Sequence, residues 1–304
     1  MRIPAMPNPA SALAAALLAF PPASLPGQPG RFHLAAERAR YLLGEPIHMR
    51  IESPESRPPS LEEGRFLLGI EGAGEPERIY HPPLRLRTAP GSASGGKTQD
   101  ALPGEPRPGG APVVHVRFAR LIASDGELLF RKPGRYRLRL IPAGGAAALS
   151  DSLDVEFREP DAPADRKAYA LLSRNAGEYA LAVYLEGGDQ LKEGMAIIAA
   201  LAAFESAYSR LASFVLSSDW SQDFTDYGGN GSRPMDLQKA MAWAQWDRGP
   251  GAYVPLRNAY RLKSGAEALA AREPGAPGLE ALRGRLAAFF ASLSPEEKAW
   301  FRSF

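Results

Sequence analysis

The chain has 304 residues, room for two domains at about 150 residues each, and either half is long enough to bury a core of its own. Apolar residues make up 45% and charged residues 23%, the balance of a folded globular chain, so wholesale disorder is excluded. The 36 basic and 34 acidic side chains leave a net charge of +2, too weak a field to gather nucleic acid, and the lack of cysteine removes thiol nucleophiles, thiolate metal sites and disulfides together.

Ala10 to Phe20 (ASALAAALLAF) is an apolar run of about eleven residues, the size of a signal-peptide core and too short to cross a bilayer. Pro21 and Pro22 stop it, and a stretch rich in small residues, Pro and Gly runs on to Gly30. Residues 1–30 are therefore expected to be a signal peptide and linker, with the protein exported to the periplasm or beyond. No later stretch approaches the roughly 18 consecutive apolar residues of a membrane helix, so no span is expected in the mature chain.

From Phe32 onward apolar side chains recur at every second position. Ile47, Met49 and Ile51 alternate with His48, Arg50 and Glu52, and Val114, Val116 and Phe118 with His115 and Arg117. Tyr136, Leu138 and Leu140 alternate with Arg135, Arg137 and Arg139, and Leu153, Val155 and Phe157 with Asp154 and Glu156. Phe66, Leu68 and Ile70 repeat the pattern around an extra apolar Leu67, and Leu84 and Leu86 alternate with Arg85 and Arg87. Successive strand side chains point to opposite faces, so each segment has one oily face and one wet face. Half-buried strands with no helical pattern between them predict antiparallel pairing. About seven of them within residues 31–158 predict a sandwich of two sheets. Gly44-Glu45-Pro46 and Pro133-Gly134 each supply a turn directly before a strand. Residues 88–112 are rich in Gly, Pro and Ser with few bulky apolar side chains, which predicts a disordered loop.

Three of these segments, Tyr41 to Ile47 (YLLGEPI), Lys132 to Leu138 (KPGRYRL) and Leu149 to Phe157 (LSDSLDVEF), carry a resemblance. They are similar to the opening and closing strands of bacterial immunoglobulin-like domains, in which a Gly-Glu-Pro turn leads an early strand and a Pro-Gly-x-Tyr turn a late one. The resemblance implies an immunoglobulin-like β-sandwich and no catalytic residue.

At Glu159-Pro160-Asp161 the period changes. Ala168, Leu171, Leu172, Ala176, Tyr179 and Val183 recur at three- and four-residue spacing, which predicts a helix over Ala168–Leu185, stopped by Gly187-Gly188. Ile198, Leu201, Phe204, Tyr208, Leu211 and Val215 predict a second over Ile197–Leu216. Met235–Trp246, Val254–Ala271 and Leu279–Leu293 continue the pattern. Ser294, Pro295 and Glu297 spell a capping box that opens a last short helix. Residues 159–304 are thus expected to form an all-α domain of helical hairpins. The Ala-rich helices with recurrent Tyr and Leu resemble tetratricopeptide-like hairpins, and the whole resembles exported bacterial proteins in which an immunoglobulin-like sandwich precedes such a domain. No strict 34-residue repeat is present.

Chemical signatures are sparse. The four histidines, His33, His48, His81 and His115, show no zinc-binding spacing and read as exposed or locally hydrogen-bonded rings. There is no G-x-S-x-G, and Gly91 to Thr98 lacks the spacing of a phosphate loop. Asp219, Asp223, Asp226 and Asn230 offer oxygens, but not at the positions of a calcium loop. Trp220, Asp223, Asp226 and Tyr227, with Trp243 and Trp246, make the candidate ligand-binding set: an aromatic shelf beside carboxylates, set against a reading in which Trp243 and Trp246 face the core. Arg135, Arg137 and Arg139, with Arg131 and Lys132 nearby, form a basic stripe on one strand and read best as a solvated sheet face.

The expectation from sequence is a non-catalytic, exported binding or scaffolding protein. It needs no cofactor or metal, and its helical surface or interdomain groove receives a protein or peptide partner. The alternative is an envelope hydrolase acting on a glycan or peptide, with a carboxylate site in residues 219–230.

Overall fold

The computed structural model describes residues 32–53, 66–80, 115–142, 150–222, 233–248, 251 and 253–302. The signal peptide and linker expected for residues 1–30, the loop expected for residues 88–112 and the alternating segment around Leu84 and Leu86 lie outside the described residues. Ten strands come first: β1 (His33–Ala36), β2 (Arg40–Leu42), β3 (Ile47–Ser53), β4 (Phe66–Gly72), β5 (Glu75–Tyr80), β6 (His115–Leu121), β7 (Ala123–Ser124), β8 (Glu127–Leu128), β9 (Gly134–Pro142) and β10 (Leu153–Arg158). Then come the helices α1 (Pro163–Arg174), α2 (Ala176–Leu185), α3 (Lys192–Ala202), α4 (Ser209–Ser221), α5 (Leu237–Ala242), α6 (Tyr253–Arg272), α7 (Leu279–Ala291) and α8 (Pro295–Arg302).

The oily faces read from the alternation are buried together. Ile47, Met49 and Ile51 of β3 share one core with Leu68 and Ile70 of β4, Tyr136, Leu138 and Leu140 of β9, and Val155 and Phe157 of β10. The sheets themselves correct the expected antiparallel immunoglobulin-like sandwich. One is a mixed sheet of five strands in the order β2-β10-β9-β4-β5, with β2 running parallel to β10. The others are a three-stranded β1-β3-β6 sheet and the β7-β8 ribbon, and among the described residues no closed sandwich forms. Alternation reports that a strand has one apolar face, whereas strand direction is set by how the chain returns to the ladder, and a parallel neighbour satisfies the same pattern. The edge strand β5 carries too many charges for the pattern to show it. It is folded back on β4 by Ala73 and Gly74, both at positive φ, as a two-residue hairpin turn requires.

The helical half keeps its period but not its expected lengths. The helix expected over Ala168–Leu185 breaks at Asn175, whose amide donates to the Leu171 carbonyl at 2.8 Å and which stands between α1 and α2. The one expected over Ile197–Leu216 divides into α3 and α4, and Tyr208, at the N-cap of α4, donates its hydroxyl to the Leu43 carbonyl at 2.7 Å. The capping box is present: Glu297 N donates to Ser294 Oγ at 3.2 Å, and Ser294 N to Glu297 Oε2 at 2.8 Å.

The halves are not separate in space. Ile122, Ala123 and Leu128, from the ribbon region, belong to the helical core. The Gly44-Glu45-Pro46 turn is a docking point as well as a strand opener: Gly44 has φ +86°, and a Cβ there would stand 2.6 Å from Leu172 Cδ1 of α1. Tyr179 and Tyr208, read from sequence only as core positions, reach across to the carbonyls of Gly44 and Leu43. Among the described residues, no helix is long and apolar enough to cross a membrane.

Candidate functional site

The most concentrated polar chemistry among the described residues lies in the seam between the three-stranded sheet and the helices. His48 and Arg120 sit directly opposite one another on β3 and β6. His48 belongs to the face that alternation marks as wet on β3, whereas Arg120 has the parity of the apolar Val116 and Phe118 on β6; both are buried, because α2 and α6 cover that face. The seam then needs a counter-charge, and Glu186 provides it from the end of α2.

Glu186 holds a left-handed backbone (φ 57°) at the C-cap of α2, a conformation that non-glycine residues adopt at a cost of about 1 kcal/mol. Its carboxylate is 3% exposed and is gripped by three guanidinium groups. Arg257 donates as a fork, Nε to Oε1 at 2.8 Å and Nη2 to Oε2 at 3.1 Å; Arg120 Nη2 donates to Oε1 at 2.9 Å; and Arg261 Nε donates to Oε2. Arg120 also donates to the Val183 carbonyl and the Tyr253 hydroxyl. Burial by itself would raise the Glu186 carboxyl; Arg257, Arg261 and Arg120 outweigh it and hold the group well below the usual carboxylate range. Arg257 and Arg261 stand four residues apart, on one face of α6.

A second unit adjoins the first. Glu37, in the turn after β1, stands with Oε2 3.1 Å from His48 Nδ1 and accepts from the Tyr253 backbone N–H at 2.6 Å. The His48 ring stacks on Tyr253 with 3.6 Å between centroids. Burial pushes the imidazole down to about 4, and Arg120 and Arg38 act in the same direction against Glu37. Burial also raises the Glu37 carboxyl, but His48, the Tyr253 N–H and Arg38 bring it below its ordinary value.

The residues singled out from sequence fare differently. Asp223, Asp226, Tyr227 and Asn230 lie outside the described residues. Asp219 is buried at the end of α4, where Oδ1 accepts from Gly188 N at 2.8 Å and pairs with Arg233 at 3.0 Å. Gly187 lets the chain pass this close, since a Cβ there would stand 2.5 Å from Asp219; the Gly-Gly stop is thus a packed joint. Trp220 is covered by Arg233 at 4.4 Å and Lys239 at 4.0 Å from its ring centre, and Trp246 packs on Phe289 under Arg285. Trp243, just past α5, is 37% exposed and does not face the core.

The basic stripe is matched by carboxylates. Arg139 pairs with Glu77 at 2.8 Å, Arg137 with Asp154 at 3.1 Å and Lys132 with Glu75 at 2.8 Å, which makes the outer sheet face a ladder of mixed charge. Of the histidines, His33 pairs with Asp151 at 2.5 Å near the surface, and His48 is the buried ring of the seam. Among the described residues no group of three His, Asp or Glu side chains is placed to hold a metal ion.

No family model, curated protein or solved structure matches the chain. Sequence reasoning missed Glu37, Arg120, Glu186, Tyr253, Arg257 and Arg261. The one local signal was the Arg257/Arg261 pair at helical spacing. Its partner Glu186 is 71 residues away in the chain.

Proposed function

We propose that the chain is an exported, non-catalytic binding or scaffolding protein in which sheets and helices are fused into one rigid body that presents a helical surface to a protein or peptide partner. The observation that carries this reading is the contrast among three tryptophans. Trp220 and Trp246 are capped by cations or packed on Phe289, whereas Trp243 stands exposed just past a short helix anchored at Asp236, whose side chain accepts from Lys239 N at 3.0 Å. Large aromatic side chains left in solvent are favoured anchors for a partner, because they bury much area and lose little rotamer freedom. The seam supports the same reading, since a surface held by a rigid scaffold binds with less ordering cost. Asp219 supports it too: its Oδ1 already holds the Gly187-Gly188 joint and Arg233.

A photo-crosslinking residue placed at position 243, irradiated in envelope preparations, tests the reading. One dominant protein adduct, competed away by unmodified protein and absent when the probe is moved to Asp154 on the outer sheet face, is the expected result. The same adducts from both positions, or none at 243, would count against it.

A further inference from the structure

His48 is a titratable ring placed where a charge is hardest to accommodate. Its neighbours across the seam are drawn from every packed element. Glu37, Arg38 and Glu45 come from the turns flanking β2, Arg50 lies two residues further along β3, and Arg120 stands opposite on β6. Glu186 closes α2, Arg210 lies on α4 close enough to act on Glu37, and Tyr253, Arg257 and Arg261 line α6. Arg38, Arg120, Arg257 and Arg261 stand among Glu37, Glu45 and Glu186 in this region, so a proton on His48 adds a further cation beside them. Glu37 does favour a protonated ring, but its carboxylate is shared with the Tyr253 N–H. Arg120, whose guanidinium carbon lies 5.3 Å from the centre of the Tyr253 ring on which His48 stacks, opposes it.

We propose that His48 makes the seam acid-labile, so that a proton on its ring loosens the helices from the three-stranded sheet while the two apolar cores persist. The contacts that would release are those that cross at this point: the stack on Tyr253, the Glu37 bond to the start of α6, and the reach of Arg120 to Val183 and Glu186. The two cores are built from apolar side chains such as Leu68, Leu138, Leu282 and Phe290, whose packing does not depend on pH. This inference concerns the protein's own conformation and stands whether or not a partner binds at Trp243.

Hydrogen exchange of the full chain between pH 7.5 and 4.0, corrected for the intrinsic pH dependence of exchange, reads the seam through peptides covering β3, β6 and the start of α6. Peptides from β9 and α7 report the cores. The expected result is a rise of about tenfold or more in seam exchange between roughly pH 6 and 4.5, with the core peptides unchanged. The variant His48→Phe keeps a ring on Tyr253 without a titrating group, and its opening midpoint should fall by about one pH unit. Because Phe leaves Glu37 without the imidazole, His48→Phe/Glu37→Gln is measured beside it and should show the same downward shift. The His48 side-chain nitrogens, followed by NMR in the unmodified chain, keep the test open should the variants not fold. Titration of the ring in step with seam opening supports the proposal. A ring that titrates near pH 6.5 with no change in seam exchange, or variants that open at the unmodified midpoint, would overturn it.

Discussion

Replacing Glu186 with Gln removes one charge and leaves three guanidinium groups facing each other in a closed site. Arg120, Arg257 and Arg261 are 6%, 9% and 14% exposed at their side chains, so water cannot take the place of the lost carboxylate. Breaking a buried pair by deleting one partner costs about 3–5 kcal/mol, and with three cations depending on one acceptor the upper part of that range is expected. At about 4 kcal/mol the folding equilibrium falls roughly a thousandfold, and a midpoint drop of about 10 °C follows for a chain of this size. The assay is urea unfolding followed by tryptophan fluorescence and circular dichroism, with calorimetry for the thermal midpoint. Glu186→Gly provides an internal control. It relieves the left-handed backbone at φ 57°, worth about 1 kcal/mol, but removes both acceptor oxygens along with the charge, so it should remain well below the native protein. A Glu186→Gln protein within about 0.5 kcal/mol of native, or a Glu186→Gly protein more stable than native, would refute the claim that charge pairing holds the seam.

Stability should fall on acidification in a defined order. His48 has its folded value depressed to about 4, so the unfolded chain takes up a proton that the folded one resists, and up to about 3 kcal/mol is lost as pH drops from roughly 6.5 to 4. Glu37 and Glu186, both lowered, contribute stability that is present above their unfolded values and lost only as pH falls through their folded ones, so denaturant midpoints should keep dropping below pH 4. Gly44→Ala should cost about 2 kcal/mol or more in urea unfolding, because φ is +86° and the new methyl would meet Leu172 at 2.6 Å. Tyr208→Phe, which strips a buried hydroxyl from the Leu43 carbonyl, should cost about 1–2 kcal/mol by the same measurement. N-terminal sequencing of native material should find a mature chain starting between about Ala23 and Arg31, and an intact Met1 would contradict export.

Periodicity alone determined where strands yield to helices and which side of β3, β4, β9 and β10 is oily, and the capping box where the last helix begins. The pleat that sends Ile47, Met49 and Ile51 to one face, and the cap shared by Ser294 and Glu297, are local backbone geometry, and such local demands leave a spacing in the chain. The tertiary structure alone decided that β2 runs parallel to β10, that the polar face of β3 would be covered in turn, and that Glu186 would stand among Arg120, Arg257 and Arg261. A polar residue at an alternating position reads the same whether water or a second layer lies above it. Only the packing of helices on the sheet removed the water, and that packing made His48 and Glu186 the residues on which the seam depends.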